Sequence, residues 1–375
     1  MTRGIVMAAC MPLATPAMGA TVQVVSDGRL ADGRETSAIV LTAGNGIHAR
    51  ILAYGAALQA YVIPDRDGHL DDVVLGHDNA AVYEKAHDYL GVTVGRYANR
   101  IAAGTFALDG QVFHLPHNDG ANSLHGGGQG FDRQIWQVGT IAQGKAASVE
   151  LHYTSPDGAS GYPGTVAVTV TYSLSDTGDL TITMAATTDK PTVINMTNHA
   201  LYNLGGEASG HDAMDHVLTI PAARFTPINA ALIPTGALAP VAGTVFDFTT
   251  PRRLSDGLRD GHDAQIRAGR GYDHNFAIDA GVTAQPKLVA RLHDPKTGRT
   301  LDVLSTEPGV QLYTGNFLDG TVPGKGGRLY RMGDGVALEP QKFPDTPNQP
   351  AFPSARLNPG EIYRHVMVLH PMVTR

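Results

Sequence analysis

Six short stretches of this sequence are dense in side chains that give and take hydrogen bonds: Gly95–Ile101 (GRYANRI), Asn122–Gly128 (NSLHGGG), Asn195–Leu204 (NMTNHALYNL), Gly271–Phe276 (GYDHNF), Gly309–Phe317 (GVQLYTGNF) and Ala337–Gln349 (ALEPQKFPDTPNQ). None reads as core or as ordinary loop. Asn, Gln, Asp and Arg in this density supply paired donors and acceptors for hydroxyl groups, while Tyr and Phe offer rings for the apolar face of a sugar. The chemistry carried by these residue types is recognition of a neutral polyol. The histidines and carboxylates among them add groups able to move protons.

Other catalytic patterns fail. Leu124-His125-Gly126-Gly127-Gly128 has the look of an esterase oxyanion loop, but no Gly-x-Ser-x-Gly elbow exists in the chain to supply a nucleophile. Gly139 to Lys145 has P-loop spacing, yet Ala146 stands where the metal-binding hydroxyl belongs, and the segment reads as a hairpin turn. There is no dinucleotide fingerprint opening a helix and no His-Glu-x-x-His. No metal and no cofactor is expected.

Strands must position the polar clusters. Asp109-Gly110 between Thr105–Leu108 and Gln111–Leu115 is a hairpin signal, and Thr165–Leu174 alternates in a two-residue period before turning at Ser175–Gly178 into Asp179–Ala185. Short β-rich runs recur at Val22–Val25, Ile51–Leu52, Val149–Tyr153, Val217–Ile220, Leu288–Leu292, Leu301–Ser305, Val310–Thr314 and Ile362–Leu369, with one helix candidate, Asn79–Leu90. Such spacing predicts an all-β protein, a large antiparallel β-sandwich with very little helix, whose polar clusters converge from strand ends. Tyr97, Tyr202 and Tyr313 read as core. His274, beside Asp273, faces either the cleft or the opposite side of its strand.

Composition narrows the partners. With 28 Lys+Arg against 35 Asp+Glu the net charge is −7 and the pI about 6.1, which argues against nucleic acid as a ligand. No apolar run is long enough to span a bilayer. Arg3, the apolar stretch from Ile5, and small residues at Ala17 and Gly19 follow the order of a secretory signal peptide. Residues 1–20 are therefore expected to be a leader and 21–375 one β domain, exported to the periplasm or secreted, with a cytoplasmic location as the alternative. The single cysteine, Cys10, would leave with the leader.

Taken together and in this order along the chain, the six clusters resemble those of the aldose 1-epimerase (galactose mutarotase) family, from about Ala38 to Leu369. The resemblance implies a supersandwich fold and cofactor-free interconversion of the α and β anomers of a free aldose such as galactose or glucose, by a monomer or dimer. Glu339, in Leu-Glu, resembles the catalytic base and His199, in Thr-Asn-His, the catalytic acid. His125, Arg100, Asp273 and Gln311 resemble the family's substrate-binding set, with Asn99 and Phe317 as neighbours. Pro340, directly after Glu339, is a local variation that removes a backbone donor beside the base.

The residue types suit that reaction. Opening a hemiacetal ring needs a base for the anomeric hydroxyl proton and an acid for the ring oxygen, and reclosure reverses the roles. A histidine with pKa about 6.5 donates and accepts near neutrality, and a carboxylate with pKa about 4.3 is ionised there unless burial raises it. Two other classes remain open at this point. A non-catalytic sugar-binding sandwich would not need both Glu339 and His199, whereas a glycoside hydrolase or lyase would use a carboxylate pair, which Asp273 and Glu339 would supply.

Overall fold

The computed structural model describes residues 19–374, so the leader expected at residues 1–20 lies outside the described residues except for its last two. Alternation becomes strand where the sequence analysis placed it. Val166–Ser175 buries every second side chain and pairs antiparallel with Leu180–Thr188, Val168 opposite Ala186 and Val170 opposite Met184. The Asp109-Gly110 turn joins Thr105–Leu108 to Gln111–His114, and both turn residues have the positive φ, 51° and 80°, that a two-residue hairpin of this hand requires.

Three sheets carry the molecule. The first runs in chain order through Thr21–Arg29, Glu35–Thr42, His48–Leu52, Ala57–Pro64 and Leu70–Asp72. The second has nine strands, with Tyr363–Val373 between Leu180–Thr188 and Arg299–Ser305. The third has six, in the order Leu201–Tyr202, Val336–Gln341, Gly309–Tyr313, Asp273–Ala277, Arg224–Phe225, Ala239–Pro240. One cluster of buried apolar side chains joins them: Ile39 and Ile51 from the first, Val168, Ile182 and Leu301 from the second, Phe276, Val310, Leu312 and Leu338 from the third. The antiparallel β-sandwich expected from the sequence is the observed architecture. No helix among the described residues is long and apolar enough to cross a membrane.

The helix expectation needs correction. Helix covers only Ala80–Lys85, capped by the Asn79 side chain, which accepts from the Val82 N–H; the chain is extended again at Ala86. Two further short helices, Ser255–Leu258 and Ala264–Gly269, went unforeseen. Segments of one or two turns are too brief to show a 3.6-residue period, and the second is held by its cap, the Asp263 carboxylate accepting from the Gln265 and Ile266 N–H groups.

Candidate active site

The site is built on the polar face of the six-stranded sheet. Asp273–Ala277, Gly309–Tyr313 and Val336–Gln341 lie side by side, with Asn275 opposite Gln311 and Gln311 opposite Glu339. Because successive strand residues point to opposite faces, Asp273, Asn275, Gln311, Tyr313 and Glu339 share one face, while Phe276, Val310, Leu312 and Leu338 enter the core on the other. The polar clusters thus sit within strands as well as at their ends. His274 belongs to the core face: its ring packs on Phe246 and Phe225, and burial lowers its pKa to about 3. Pro340 also lies on that face, opposite Val310, its ring turned away from Glu339's side of the sheet.

Loops bring the remaining groups over this floor. Arg100–Ile101 pairs with Ser123–Leu124, and the residues that flank this short ladder, Asn99 and His125, both adopt left-handed backbone at φ 67° and 52°. They grip each other, since the His125 N–H donates to the Asn99 carbonyl and the Asn99 N–H donates to Nδ1 of His125, each at 3.1 Å. Gly126 follows because nothing larger fits: a Cβ there would stand 2.0 Å from the Gly95 carbonyl oxygen. His199 follows the Thr197–Asn198 strand, and the Asn198 amide anchors that turn by donating to the Gly91 carbonyl at 2.7 Å and to the Tyr172 hydroxyl at 3.1 Å.

Much of the polar density in the clusters stitches these loops together. Asn195 takes the Lys342 N–H and donates to Ala98; Tyr97 donates to the Phe343 carbonyl and accepts the Thr346 N–H; Asp345 gives its own N–H to the Arg100 carbonyl and accepts from Ala102. The segment after Glu339 is therefore the anchor of the Arg100 loop.

Above the floor lies a cavity of about 660 Å³, within the ~300–1,000 Å³ range of small-molecule sites. Glu339, His199, His125, Arg100, Asn99, Asp273 and Phe317 all line it. Nε2 of His199 is 3.7 Å from Oε1 of Glu339, and the His125 ring meets His199 edge-on at 5.1 Å between centroids. Arg100 donates through Nε to Asp119 at 2.7 Å and stands 3.6 Å from Asp273. Gln311 lies behind this set, its amide donating to Asp273 at 2.6 Å. Phe317 is at the rim, half exposed, stacked on Tyr313 with the Arg270 guanidinium over its ring.

Burial sets the protonation states. Glu339 is 2% exposed, and desolvation, reinforced by the charge of Asp273 and opposed by Arg100, raises its pKa well above the usual carboxylate range. Desolvation lowers that of His199 to about 4. The pair is therefore not the ordinary ionised carboxylate and near-neutral histidine that unperturbed values suggest. Both shifts favour the carboxyl over the imidazole as the place of the pair's proton. His125 is held neutral by burial, by His199 and by Arg100, and since Nδ1 accepts from Asn99 its hydrogen is on Nε2.

Several wall residues escaped the sequence analysis. Tyr313 lines the cavity instead of packing in the core, because it shares the floor face with Gln311. Tyr89, with φ 59°, places its ring 4.7 Å from that of His125 and 6.0 Å from that of His199. Asn118 and Asp119 complete that side. The polar run His117-Asn118-Asp119 just before Asn122 was the one available signal. Ligand atoms of His125, His199 and Glu339 lie within 4.8 Å of one another, which makes this trio the buried group among the described residues with the donors to hold a cation.

Residues 37–370 match the family model described as aldose 1-epimerase. The chain is 44% identical over 319 residues to the galactose mutarotase of Rattus norvegicus, covering 85% of this chain and 89% of that protein. It is 37% identical over 335 residues to the aldose 1-epimerase of Escherichia coli strain K12, covering 88% and 94%. Among solved structures, a galactose 1-epimerase from Lactobacillus acidophilus aligns with a TM-score of 0.82 at 29% identity over 95% of this chain and 99% of that one. An aldose epimerase homologue from C. elegans aligns at 0.80 and 31%, over 88% and 97%.

Proposed function

The chain belongs to the aldose 1-epimerase family and is an isomerase that interconverts the α and β anomers of free aldoses; we propose that Glu339 and His199 are the acid–base pair that does this. The observation that carries the assignment is the 3.7 Å approach of His199 Nε2 to Glu339 Oε1 in the cavity wall. In the forward step the Glu339 carboxylate takes the proton of the anomeric hydroxyl. The C1–ring oxygen bond breaks with its electrons going to the oxygen, and the His199 imidazolium protonates it. Rotation about C1–C2 and reclosure with the roles exchanged yield the other anomer.

Burial favours this cycle at one particular stage. While the sugar is open, Glu339 holds a proton and His199 is neutral, which is the form that desolvation stabilises. The starting form, carboxylate and imidazolium, contains the same single proton. Hydroxyl groups of a bound sugar stabilise it by hydrogen bonding to the carboxylate, so no proton need enter from solvent.

In the same reading Arg100, Asp273, Asn99 and the Nε2–H of His125 hold sugar hydroxyls, Gln311 steadies Asp273, and the stacked rings of Phe317 and Tyr313 cover the mouth. Galactose and glucose are the proposed substrates. Polarimetry of freshly dissolved α-galactose and α-glucose tests this: the protein accelerates the approach to equilibrium rotation, and an unchanged rate with both sugars refutes it.

The segment expected as a leader, residues 1–20, is proposed to direct export, on the residues around Arg3, Ile5, Ala17 and Gly19, with cleavage after Gly19 leaving Ala20 as the first residue. Ala20 exchanges both backbone hydrogen bonds with Gly144, at 2.7 and 2.9 Å. A chain starting there keeps the fold's first pairing as an N-terminal residue. Intact mass of the protein from its native host decides: an N-terminus at Ala20 or Thr21 supports export, and a retained Met1 or Thr2 refutes it.

A further inference from the structure

His77 is fully buried behind the cavity wall, outside the set of groups given a role above. Its two ring nitrogens face two acceptors. Nδ1 is 2.9 Å from the carbonyl oxygen of Pro323, and Nε2 is 2.9 and 3.0 Å from the carboxylate oxygens of Asp88. A carbonyl and a carboxylate only accept, so both ring nitrogens must donate, and a histidine with two N–H groups is an imidazolium. Burial alone would drive the proton off, but the Asp88 hydrogen bond and charge outweigh it and raise the pKa.

The two acceptors belong to different walls. Asp88 and the adjacent Tyr89 line one side; Asp319 to Val322, which lead directly into Pro323, line another. Tyr89 in turn packs against both His125 and His199. We propose that His77 is a positioning residue whose imidazolium ties these two walls together and so holds Tyr89 against the two histidines of the sugar site. The proposal rests on the assignment of that cavity as the sugar site.

The Tyr83 ring meets that of His77 edge-on at 4.9 Å, its hydroxyl left without a hydrogen-bond partner, and the other polar groups nearby are engaged: the Asp78 carboxylate accepts from the Gly326 N–H. Beside Gly76, Lys325 donates to Asp72 and to the Val74 carbonyl, and the Tyr330 hydroxyl donates to Glu207. The backbone at His77 is pinned by the Gln59 amide, which donates to the carbonyls of His77 and Asp78 at 2.7 and 2.9 Å. The ring is thus committed through both nitrogens to the Pro323 carbonyl and the Asp88 carboxylate. Because its pKa is raised, the clasp is present at low and neutral pH and is lost as pH rises through the raised value; the neutral ring then keeps one contact and presents a lone pair to the other acceptor.

Two measurements test this, one independent of any sugar. A long-range proton–nitrogen NMR correlation, with His77 assigned by its loss in His77→Gln, should show both ring nitrogens protonated at pH 7 and titrating above the ordinary value of about 6.5. A singly protonated ring at pH 7 overturns the proposal and leaves the mutarotase reading untouched. In polarimetry, His77→Gln and Asp88→Asn should raise KM about threefold to tenfold, as a smaller competent fraction of the cavity demands, with little change in kcat. The wild type is expected to show a rise of KM as pH passes the raised value of His77, and that rise should be absent in His77→Gln. An unchanged KM, or a persisting alkaline rise, refutes the clasp. Asp88→Asn, at a partly exposed position, carries the same readout should His77→Gln fold poorly.

Discussion

Nε2 of His199 and Oε1 of Glu339 stand 3.7 Å apart in the cavity, one at the end of a two-residue strand and the other within the third sheet, and each lacks a protein hydrogen bond on its remaining polar atom, Nδ1 and Oε2. Their environments move their pKa values in opposite directions, Glu339 up and His199 down to about 4. Between those two values the pair shares one proton.

Replacing Glu339 by Gln keeps the shape and removes the base. A fall in kcat of at least about 10²-fold is expected, the size of a lost general base, with an unchanged melting temperature. His199→Asn should behave alike. Polarimetry with calorimetry on each variant checks this, and wild-type kcat in either one refutes the role assigned to that residue.

The pH profile follows from the two shifts. Below about 4 both groups hold protons and no base is present; between there and the raised value of Glu339 one proton is shared and the site works; above that value the acid is gone. Activity should therefore rise through about pH 4 and decline as pH passes the raised value of Glu339, which lies above the ordinary carboxylate value of about 4.3. Stopped polarimetry corrected for spontaneous mutarotation measures it. A decline centred at or below the ordinary carboxylate value of about 4.3 would contradict the burial argument.

Asp273 acts on that profile through its charge. It is one of the causes that raise Glu339, so Asp273→Asn should lower the pKa of Glu339 and move the alkaline limb to lower pH. Losing the charged partner of Arg100 and Gln311 should also raise KM roughly tenfold to a hundredfold, from ~1.5–3 kcal/mol for hydrogen bonds to a charged group. Kinetics across pH separate the two effects, and an alkaline limb that stays in place refutes the coupling.

Chelation tests the protein-only mechanism. The proposed steps use carboxyl and imidazole groups alone, so full activity should survive EDTA dialysis, with metal content followed by mass spectrometry. Activity that disappears and returns with zinc would instead assign His125, His199 and Glu339 to a metal, since their ligand atoms lie within 4.8 Å of one another.

The sequence by itself determined what is local. Two-residue alternation over Thr165–Leu174 and Asp179–Ala185 marked the strands observed at Val166–Ser175 and Leu180–Thr188, Asp109-Gly110 specified its hairpin, the residue types of the polar clusters suggested a polyol ligand, and the family resemblance singled out Glu339 and His199. Only the tertiary structure decided which of those polar residues line the cavity. Asn195, Tyr97 and Asp345 are as polar as Asn99 and Asp273, yet they tie loops together, because strand register and loop closure, which depend on distant partners, set the direction of each side chain. Tyr89 and Tyr313 entered the wall for the same reason, and Gln311 came to stand behind Asp273. Desolvation likewise has no sequence signature. The shifts of Glu339 and His199, and the two acceptors that hold His77 as a cation, arise from atoms brought together across the chain, and a pKa responds to what surrounds a group in space rather than to its neighbours in sequence.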